Sequence, residues 1–290
     1  SLHDALPILY FGVRASGYDE HLRMGEPVQI SSMQTEAARV YQRKQWSLHN
    51  ARLVIVDEAH MQAGATAQRI IADHLAANAV VVGITATPTG LYQRPYTSLV
   101  VAGTNSELRR CGAHVPCSVF APDEPDLAKI KATPTGEYDD GSELVTVWMP
   151  AVVGRVISHY RTLNPEQSPA ICCCPSVATA AWMAEQFSVA GIPAASLDGA
   201  EICEGGRRVK SSTFARANLM KRFDRGDIKV ITFRYVLREA WDFPKLYHLM
   251  LATPIGSLTS YLQVVGRLLR AHDSLDHVVL QDHGGNYWRH

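Results

Sequence analysis

Two adjacent carboxylates follow directly after a short apolar run at residues 53–60, which read LVIVDEAH. Asp57 and Glu58 therefore stand where a strand ends, the usual place of functional groups in open α/β sheets. Many enzymes that hydrolyse nucleotides hold magnesium and polarise water with such a pair. The pattern favours phosphate chemistry over the alternative, a solvated turn.

Enzymes of that kind also hold the phosphates with a glycine-rich loop that ends in Gly-Lys-Ser/Thr. No Gly-Lys pair occurs in the 290 residues. The first eight residues, SLHDALPI, resemble the translated end of a widely used sequencing adapter, so we expect residues 1–8 to be foreign to the protein. On this interpretation a sequencing read ended inside the gene, and the phosphate loop preceded Leu9.

Two threonines stand at the end of the next apolar run, in the sequence TATP. The hydroxyls of Thr85 and Thr87 can bond carboxylates and backbone at that strand end. Strand termination by Pro88 explains the same residues without any function. Both interpretations stay open for each threonine.

A basic helix is predicted at residues 257–270. Arg267 and Arg270 are three residues apart and should share a face with Gln263, one turn earlier. The planar guanidinium group suits phosphate oxygens. Gly266 costs helix stability and indicates a close approach of another segment.

Short apolar runs alternate with helical stretches, which predicts a parallel α/β sheet in each of two lobes. The apolar runs around residues 53–56 and 80–84 are expected to be covered on both faces. Prolines and the acidic stretch EYDDGSE interrupt the pattern at 103–150, which we interpret as a connection with some edge-strand content. Predicted helices lie at 35–45, 66–77, 152–161, 176–190, 211–225 and 257–270.

Composition leaves the partner open. The 28 basic and 28 acidic residues cancel, so a nucleic-acid partner must meet a local patch rather than an overall basic surface. No apolar run reaches the length of about 18–20 residues that a membrane helix needs. The six cysteines lack CxxC spacing, which disfavours zinc, and without a visible secretory signal we expect a cytoplasmic protein.

Several motifs in order resemble those of superfamily 2 nucleic-acid helicases: VDEAH, TATP and QVVGRLLR. The segments VQISSMQT, VLREAWDFP and DHGGNYWRH are similar to bacterial and phage DEAD/DEAH-box DNA helicases of the RadD type. The resemblance covers nearly all of residues 11–290. It implies two RecA-like lobes of the P-loop NTPase type, the first incomplete, at 9–102 and 151–290, joined by 103–150.

The resemblance also implies the cofactors ATP and Mg²⁺ and assigns roles in the nucleotide site. Asp57 holds Mg²⁺, Glu58 orients and deprotonates the attacking water, and His60 links the ATP site to the second lobe, although it could be a surface histidine. Thr85 and Thr87 couple hydrolysis to movement. Arg267 and Arg270 act as arginine fingers on the γ-phosphate, and Gln263 contacts the nucleotide or the neighbouring lobe.

For coupling, the family pattern is matched at Glu239 and Asp242. Relatives have Thr-Glu-Gly where this chain has Arg238, Glu239 and Ala240, which puts normal coupling in doubt. Contacts with the nucleic-acid backbone are expected from four residues: Gln34, Thr35, Ser176 and Arg234. The basic cluster RRVK at 207–210 is either another such contact or a solvated loop.

The resulting prediction is an ATP-dependent helicase or translocase that acts on DNA in preference to RNA, present as a fragment that is inactive alone. One alternative is the motor subunit of a restriction system. Another is a nucleic-acid-binding protein that has lost catalysis. The oligomeric state stays open.

Overall fold

The computed structural model describes residues 10–88, 95–122, 127, 138, 149–234, 243 and 245–290. The chain forms two compact units, one ending at Val100 and one beginning at Val101. Within the described ranges, no helix has the length and apolar character needed to cross a membrane.

The described residues of the first unit form two pairs of parallel strands and two α-helices. Its elements are β1 (Gly12–Arg14), β2 (Gln29–Ser31), α1 (Met33–Glu36), β3 (Leu53–Val56), α2 (Ala65–Ala76) and β4 (Val80–Gly83). β1 pairs with β2, and β3 pairs with β4 with Leu53 opposite Val80. The predicted strands at β3 and β4 and the predicted helix at 66–77 are confirmed.

The helix predicted at residues 35–45 begins earlier and is not regular. After α1 the chain continues as a wider π-helical turn over Ala37–Gln42. There the backbone N–H of Arg43 donates to the carbonyl of Ala38, five residues back, at 2.9 Å. Single π-helical turns of this kind occur frequently at functional sites.

The β3–β4 pair is packed on one face only within the described residues. Val56, Ala59 and Ile71 of α2 form a small core on one side. The alternate side chains point away from it and are exposed: Leu53, Ile55, Val80 and Val82. The expectation that both faces of these strands are covered is therefore wrong for the described residues, because an apolar run does not show what packs on it.

The second unit is built on an eight-stranded sheet in the order β5-β12-β11-β6-β10-β7-β8-β9. The strands are β5 (Cys117–Phe120), β6 (Ala170–Cys173), β7 (Ala194–Leu197), β8 (Glu201–Glu204), β9 (Arg207–Lys210), β10 (Val230–Phe233), β11 (His248–Leu251) and β12 (Val278–Asp282). All neighbours are parallel except β7–β8 and β8–β9. The predicted α/β class is confirmed.

Helices cover both faces of this sheet. They are α3 (Asn105–Arg110), α4 (Met149–Leu163), α5 (Val177–Val189), α6 (Thr213–Arg225), α7 (Leu258–Leu268) and α8 (Asn286–Arg289). Along β6 the side chains alternate between two apolar clusters, with Ala170 and Cys172 in one and Ile171 and Cys173 in the other. Cys172 and Cys173 thus serve as small buried apolar residues.

Two elements lie within the predicted connection at 103–150. α3 was not predicted, whereas β5 supplies the expected edge strand by pairing with β12. The basic cluster at 207–210 is strand β9 of a hairpin, not a loop. α6 consequently begins later than predicted, with Ser212 as its N-cap.

Candidate functional site

The carboxylate pair lies directly beyond the carboxyl end of β3. Asp57 Oδ1 accepts a hydrogen bond from the backbone N–H of Glu58 at 2.9 Å, which fixes one oxygen of the carboxylate. Glu58 adopts a left-handed backbone conformation, with φ 46° and ψ 50°. Because a residue other than glycine pays strain there, such a conformation is found disproportionately at active sites. Both acids of this turn are exposed.

Ala59 anchors this turn to the end of the neighbouring strand. Its backbone N–H donates to the carbonyl of Ile84 at 3.0 Å, and its side chain is buried. A Cβ at Gly83 would lie 2.9 Å from the Cβ of Ala59 and 2.7 Å from the ring of Tyr96. Gly83 therefore allows the ends of β3 and β4 to approach, which brings the DEAH and TATP segments together.

His60 and Thr85 form the direct side-chain link between the two segments. His60 Nδ1 lies 2.8 Å from Thr85 Oγ1 and 3.4 Å from Glu58 Oε2. Thr85 Oγ1 also accepts from the backbone N–H of Thr87 at 3.0 Å. The His60 side chain is 5% exposed, so the alternative of a surface histidine is wrong. Within the first unit, His60 connects the acids to the threonines.

The donor set of this site suits magnesium. Among the residues that the structure describes, no three His, Cys, Asp or Glu side chains are arranged to hold a metal ion. Mg²⁺ is commonly held by one or two carboxylates together with waters and substrate phosphates, and does not need an all-protein cage. The exposed carboxylate of Asp57 at a strand end fits that mode of binding.

The segment around Gln34 and Thr35 forms the first turn after β2. Thr35 Oγ1 accepts from the backbone N–H of Ser16 at 3.2 Å, and Gln34 Oε1 accepts from Ser32 Oγ at 2.9 Å. Gln34 is exposed and Thr35 is partly buried. The Gln34 amide N–H₂ thus remains at the surface, where a nucleic-acid backbone could reach it.

A buried ion pair beside this segment was not predicted. Arg14, at the end of β1, donates through Nη2 to Glu36 Oε2 at 2.9 Å and to the Ser47 carbonyl at 2.8 Å, and its Nε also bonds Glu36. The guanidinium group lies 5.0 Å from the Trp46 ring centroid. Since the two charged residues are 22 positions apart, no local pattern marks them as partners.

In the second unit, the predicted basic helix corresponds to α7. Ser257 is its N-cap and accepts from the Ser260 N–H at 3.2 Å. Gln263 and Arg267 lie one turn apart on it and are both partly exposed.

The shared helical face predicted for Arg267 and Arg270 is wrong. α7 ends at Leu268, and Arg270 is exposed and forms an isolated antiparallel bridge with His114. A Cβ at Gly266 would meet no described atom within 4 Å, so the predicted close approach there is also wrong within the described residues.

Ser176 is the N-cap of α5, at the predicted start of that helix. Its hydroxyl accepts from the Thr179 N–H at 3.1 Å, and the Thr179 hydroxyl accepts from the Ser176 N–H at 2.9 Å. Arg234 directly follows β10 and is partly buried. Glu239 and Asp242 lie outside the described residues.

Two sequence families match the chain. The family described as "Type III restriction enzyme, res subunit" matches residues 15–90, and the family described as "Helicase conserved C-terminal domain" matches residues 153–272. A curated relative, a 51.5 kDa protein of a Lactococcus phage (isolate 7-9), is 26% identical over 227 residues. The match covers 77% of this chain and 47% of the relative, so the chain spans about half of that protein's length.

Solved helicase structures share the fold. The Mycobacterium smegmatis helicase Lhr, bound to ssDNA and AMP-PNP, has a TM-score of 0.54 at 19% identity, with 94% of this chain and 34% of Lhr covered. The helicase MrfA, bound to DNA, has a TM-score of 0.58 at 14% identity over 95% of this chain and 38% of MrfA. Dbp5 of S. cerevisiae, bound to RNA and ADP BeF3, has a TM-score of 0.56 at 14% identity over 95% of this chain and 63% of Dbp5.

The mostly parallel sheet and these neighbours define an α/β protein with RecA-like lobes, as predicted. Together with the two family matches, they support a superfamily 2 helicase.

Proposed function

We propose that this chain is part of an ATP-dependent helicase or translocase of the RadD type that acts on DNA. The match to the helicase C-terminal family and the helicase neighbours support the motor activity, and two of the three neighbours above were solved with DNA. Dbp5 was solved with RNA, so the preference for DNA rests mainly on the likeness of the VQISSMQT, VLREAWDFP and DHGGNYWRH segments to DNA helicases.

The observation that carries this proposal is the arrangement at the ends of β3 and β4. Asp57 and Glu58 are exposed beyond a strand end, and His60 ties them to Thr85 through a contact of 2.8 Å. In the proposed reaction Glu58 accepts the proton of the attacking water. The His60–Thr85–Thr87 contacts transmit a change at the acids to the segment that follows β4. This is the coupling role proposed for both threonines.

Asp57 is the proposed residue for Mg²⁺. Bound Mg²⁺ supplies charge neutralisation for the phosphate oxygens of ATP. The hydrogen bond from the Glu58 N–H holds Asp57 Oδ1, and this orients the carboxylate without using its second oxygen.

In the second unit, Arg267 is the proposed arginine that stabilises charge on the transferred phosphoryl group, and Gln263 contacts the nucleotide. Arg270 remains a proposed second phosphate contact, presented from extended backbone instead of from the helix. A finger of this type contributes about 10³–10⁵ in rate. Further proposed roles are nucleic-acid contact for Gln34, Thr35, Ser176 and Arg234, and coupling for Glu239 and Asp242.

We also propose the domain boundaries at 9–102, 103–150 and 151–290, a cytoplasmic location, and weak ATP binding by the 290 residues alone. The last proposal rests on the lack of a Gly-Lys pair for the phosphates. Nucleic-acid-stimulated ATP turnover by purified residues 9–290 would show it to be wrong.

Glu58→Gln in the protein expressed from its complete gene tests the proposed chemistry. The amide keeps the size of the side chain but cannot accept the water proton, so DNA-stimulated ATP turnover should fall by about 10²–10⁴. Binding of a fluorescent ATP analogue should be retained. Glu20→Gln is the matched control, because that side chain is 74% exposed and lies outside the site. Turnover by Glu58→Gln equal to that of Glu20→Gln would remove Glu58 from the reaction.

A motor subunit of a restriction system is the second candidate, because the match over residues 15–90 is to the res subunit of type III restriction enzymes. The two functions differ in their product. ATP-dependent cleavage of duplex DNA by the complete protein supports the restriction role, whereas strand separation or translocation without cleavage supports the helicase.

A further inference from the structure

The DHGGN segment at the end of β12 folds back on the loop that precedes α7. Asp282 ends the strand fully buried, and its carboxylate forms three hydrogen bonds to the residues that follow. Oδ1 accepts from the Gly284 N–H at 2.9 Å and from Asn286 Nδ2 at 2.8 Å, and Oδ2 accepts from the Tyr287 N–H at 2.6 Å. These bonds fix the orientation of the Asn286 side chain.

Asn286 uses its amide group to hold the loop from both sides. Oδ1 accepts from the Ile255 N–H at 2.6 Å, and Nδ2 donates to the Thr253 carbonyl at 3.1 Å. The side chain is fully buried, and Ile255 is part of the core. Only a group with both a donor and an acceptor can satisfy these two backbone positions, which explains an amide at residue 286.

The glycines of the motif allow this contact. A Cβ at Gly284 would lie 2.1 Å from the Thr253 carbonyl oxygen, so no side chain fits there. Gly285 has φ 66°, in the region that favours glycine. Beyond them, Arg289 Nη2 donates to the Gly284 carbonyl at 2.6 Å, and His290 Nε2 lies 2.9 Å from the Ile255 carbonyl oxygen.

The loop held in this way is the base of α7. Ser257 caps the helix two residues after Ile255, and Arg267 lies ten residues further along. At a rise of 1.5 Å per residue, Arg267 is about 15 Å from the cap, so a tilt of about 4° at the base moves it by about 1 Å. A displacement of about 1 Å in a reacting group can cost about 10²-fold in rate.

We propose that Asn286 is a positioning residue that holds the base of α7 and thereby sets the position of Arg267. Asp282 orients its side chain, and the missing side chain of Gly284 allows the two segments to come into contact. This inference rests on the proposed function, because it assigns Arg267 a place in ATP turnover. On this inference, the DHGGN motif acts on the nucleotide site indirectly, through its contacts to the backbone of Thr253 and Ile255.

Asn286→Ala and Asn286→Asp in the complete protein test the inference. Asn286→Ala removes both bonds to the loop, and kcat for DNA-stimulated ATP turnover per folded molecule should fall by about 10- to 100-fold. KM for ATP should stay within about two-fold, because Arg267 acts mainly in the transition state. Asn286→Asp keeps the acceptor for the Ile255 N–H but loses the donor to the Thr253 carbonyl and places a second carboxylate against buried Asp282, so kcat should fall at least as far as in Asn286→Ala, with folding checked by circular dichroism.

The chain offers a matched control in the same unit. Asn164 is also fully buried, and its amide bonds both the N–H and the carbonyl of Ser168 at 2.9 Å, in the connection between α4 and β6. Asn164→Ala should destabilise the unit to a similar extent and leave kcat per folded molecule within two-fold. Equal losses of kcat in Asn164→Ala and Asn286→Ala would overturn the inference, since both would then act through stability alone.

Two further measurements separate this inference from the proposed function. In an Arg267→Ala background, Asn286→Ala should reduce kcat by less than two-fold more, and a fully multiplicative loss would overturn the link to Arg267. Hydrogen exchange of residues 253–268 should rise in Asn286→Ala and not in Asn164→Ala, whether or not the wild type hydrolyses ATP. If the wild type has no ATPase activity, the proposed function fails, and exchange alone decides whether Asn286 holds α7. Unchanged exchange would reject it.

Discussion

Removal of one charge from the buried pair of Arg14 and Glu36 should strongly destabilise the first unit, and Glu36→Gln tests this. The two residues are 1% and 5% exposed. Removing one charge leaves the other buried without a counter-ion, which costs about 3–5 kcal/mol. The hydrogen bonds give a similar figure, since Arg14 makes two bonds to Glu36 and a bond to a charged group contributes about 1.5–3 kcal/mol.

This loss is large for a unit of about 100 residues, whose total stability is expected to be about 5–15 kcal/mol. One kcal/mol shifts the Tm of such a unit by about 4–8 °C, so the Tm should fall by at least about 12 °C. Hydrogen-exchange mass spectrometry of the whole chain at rising temperature measures the Tm of the first unit, by following peptides from residues 10–88.

Two variants control for the loss of any ion pair and for the substitution itself. Glu20→Gln removes the exposed contact with His21 in the same unit, of length 3.8 Å, and should cost at most about 1 kcal/mol. Arg14→Met combined with Glu36→Leu removes both buried charges and should recover most of the loss, because apolar replacements of buried pairs are often neutral. A Tm of the first unit in Glu36→Gln no lower than that in Glu20→Gln would refute the reasoning.

Two other predictions concern histidines. Burial lowers the pKa of His248 from 6.5 to about 3, so the folded state excludes a proton that the unfolded state binds, and stability is lost as pH falls below 6.5. Between pH 6.5 and 5 the free energy of unfolding, measured by urea titration, should fall by about 2 kcal/mol, and His248→Phe should abolish this fall. An equal dependence of stability on pH in the variant contradicts the prediction. For His60 and Thr85, joined at 2.8 Å, a double-mutant cycle to Ala should show about 1 kcal/mol of coupling in ATP turnover of the complete protein, whereas additive effects would separate them.

Elements with local signals could be predicted from the sequence. The buried strand at Ala170–Cys173 follows from a continuous apolar run, and the start of α5 follows from the side chain of Ser176, which caps it. Asp57 and Thr85 could each be placed at a strand end, because each directly follows an apolar run, whereas the pairing that sets those ends on one edge became known from the structure. Each of these signals lies within a few neighbouring residues and can therefore be recognised in one sequence.

The hairpin of β8 and β9 was missed although a local signal existed. Gly205 and Gly206 both have positive φ, at 54° and 77°, and two adjacent glycines between strand-like runs are typical of a tight hairpin turn. The charges of Arg207 and Arg208 favoured a nucleic-acid contact instead. In the hairpin, Arg208 lies 3.1 Å from Glu201 in an exposed ion pair.

Contacts between distant residues could not be predicted. α7 ends at Leu268 and Arg270 forms a bridge with His114, whereas helical spacing alone predicted that the helix continues to residue 270. The partnership of Asn286 with Thr253 spans 33 residues and becomes visible only when β11 and β12 pair. Periodicity describes one element at a time, and these contacts join two.

Both units hold a segment with proposed site residues through buried polar contacts that come from elsewhere in the chain. Arg14 holds the turn with Gln34 and Thr35 through Glu36, and Asn286 holds the base of α7. Such contacts add little net stability over apolar packing, but each donor meets one acceptor and so selects one geometry. Apolar packing alone tolerates small shifts of one element against another. An arginine that must contact a phosphoryl group does not tolerate such shifts. Loss of Asn286 should therefore reduce turnover more strongly than it reduces the stability of the fold.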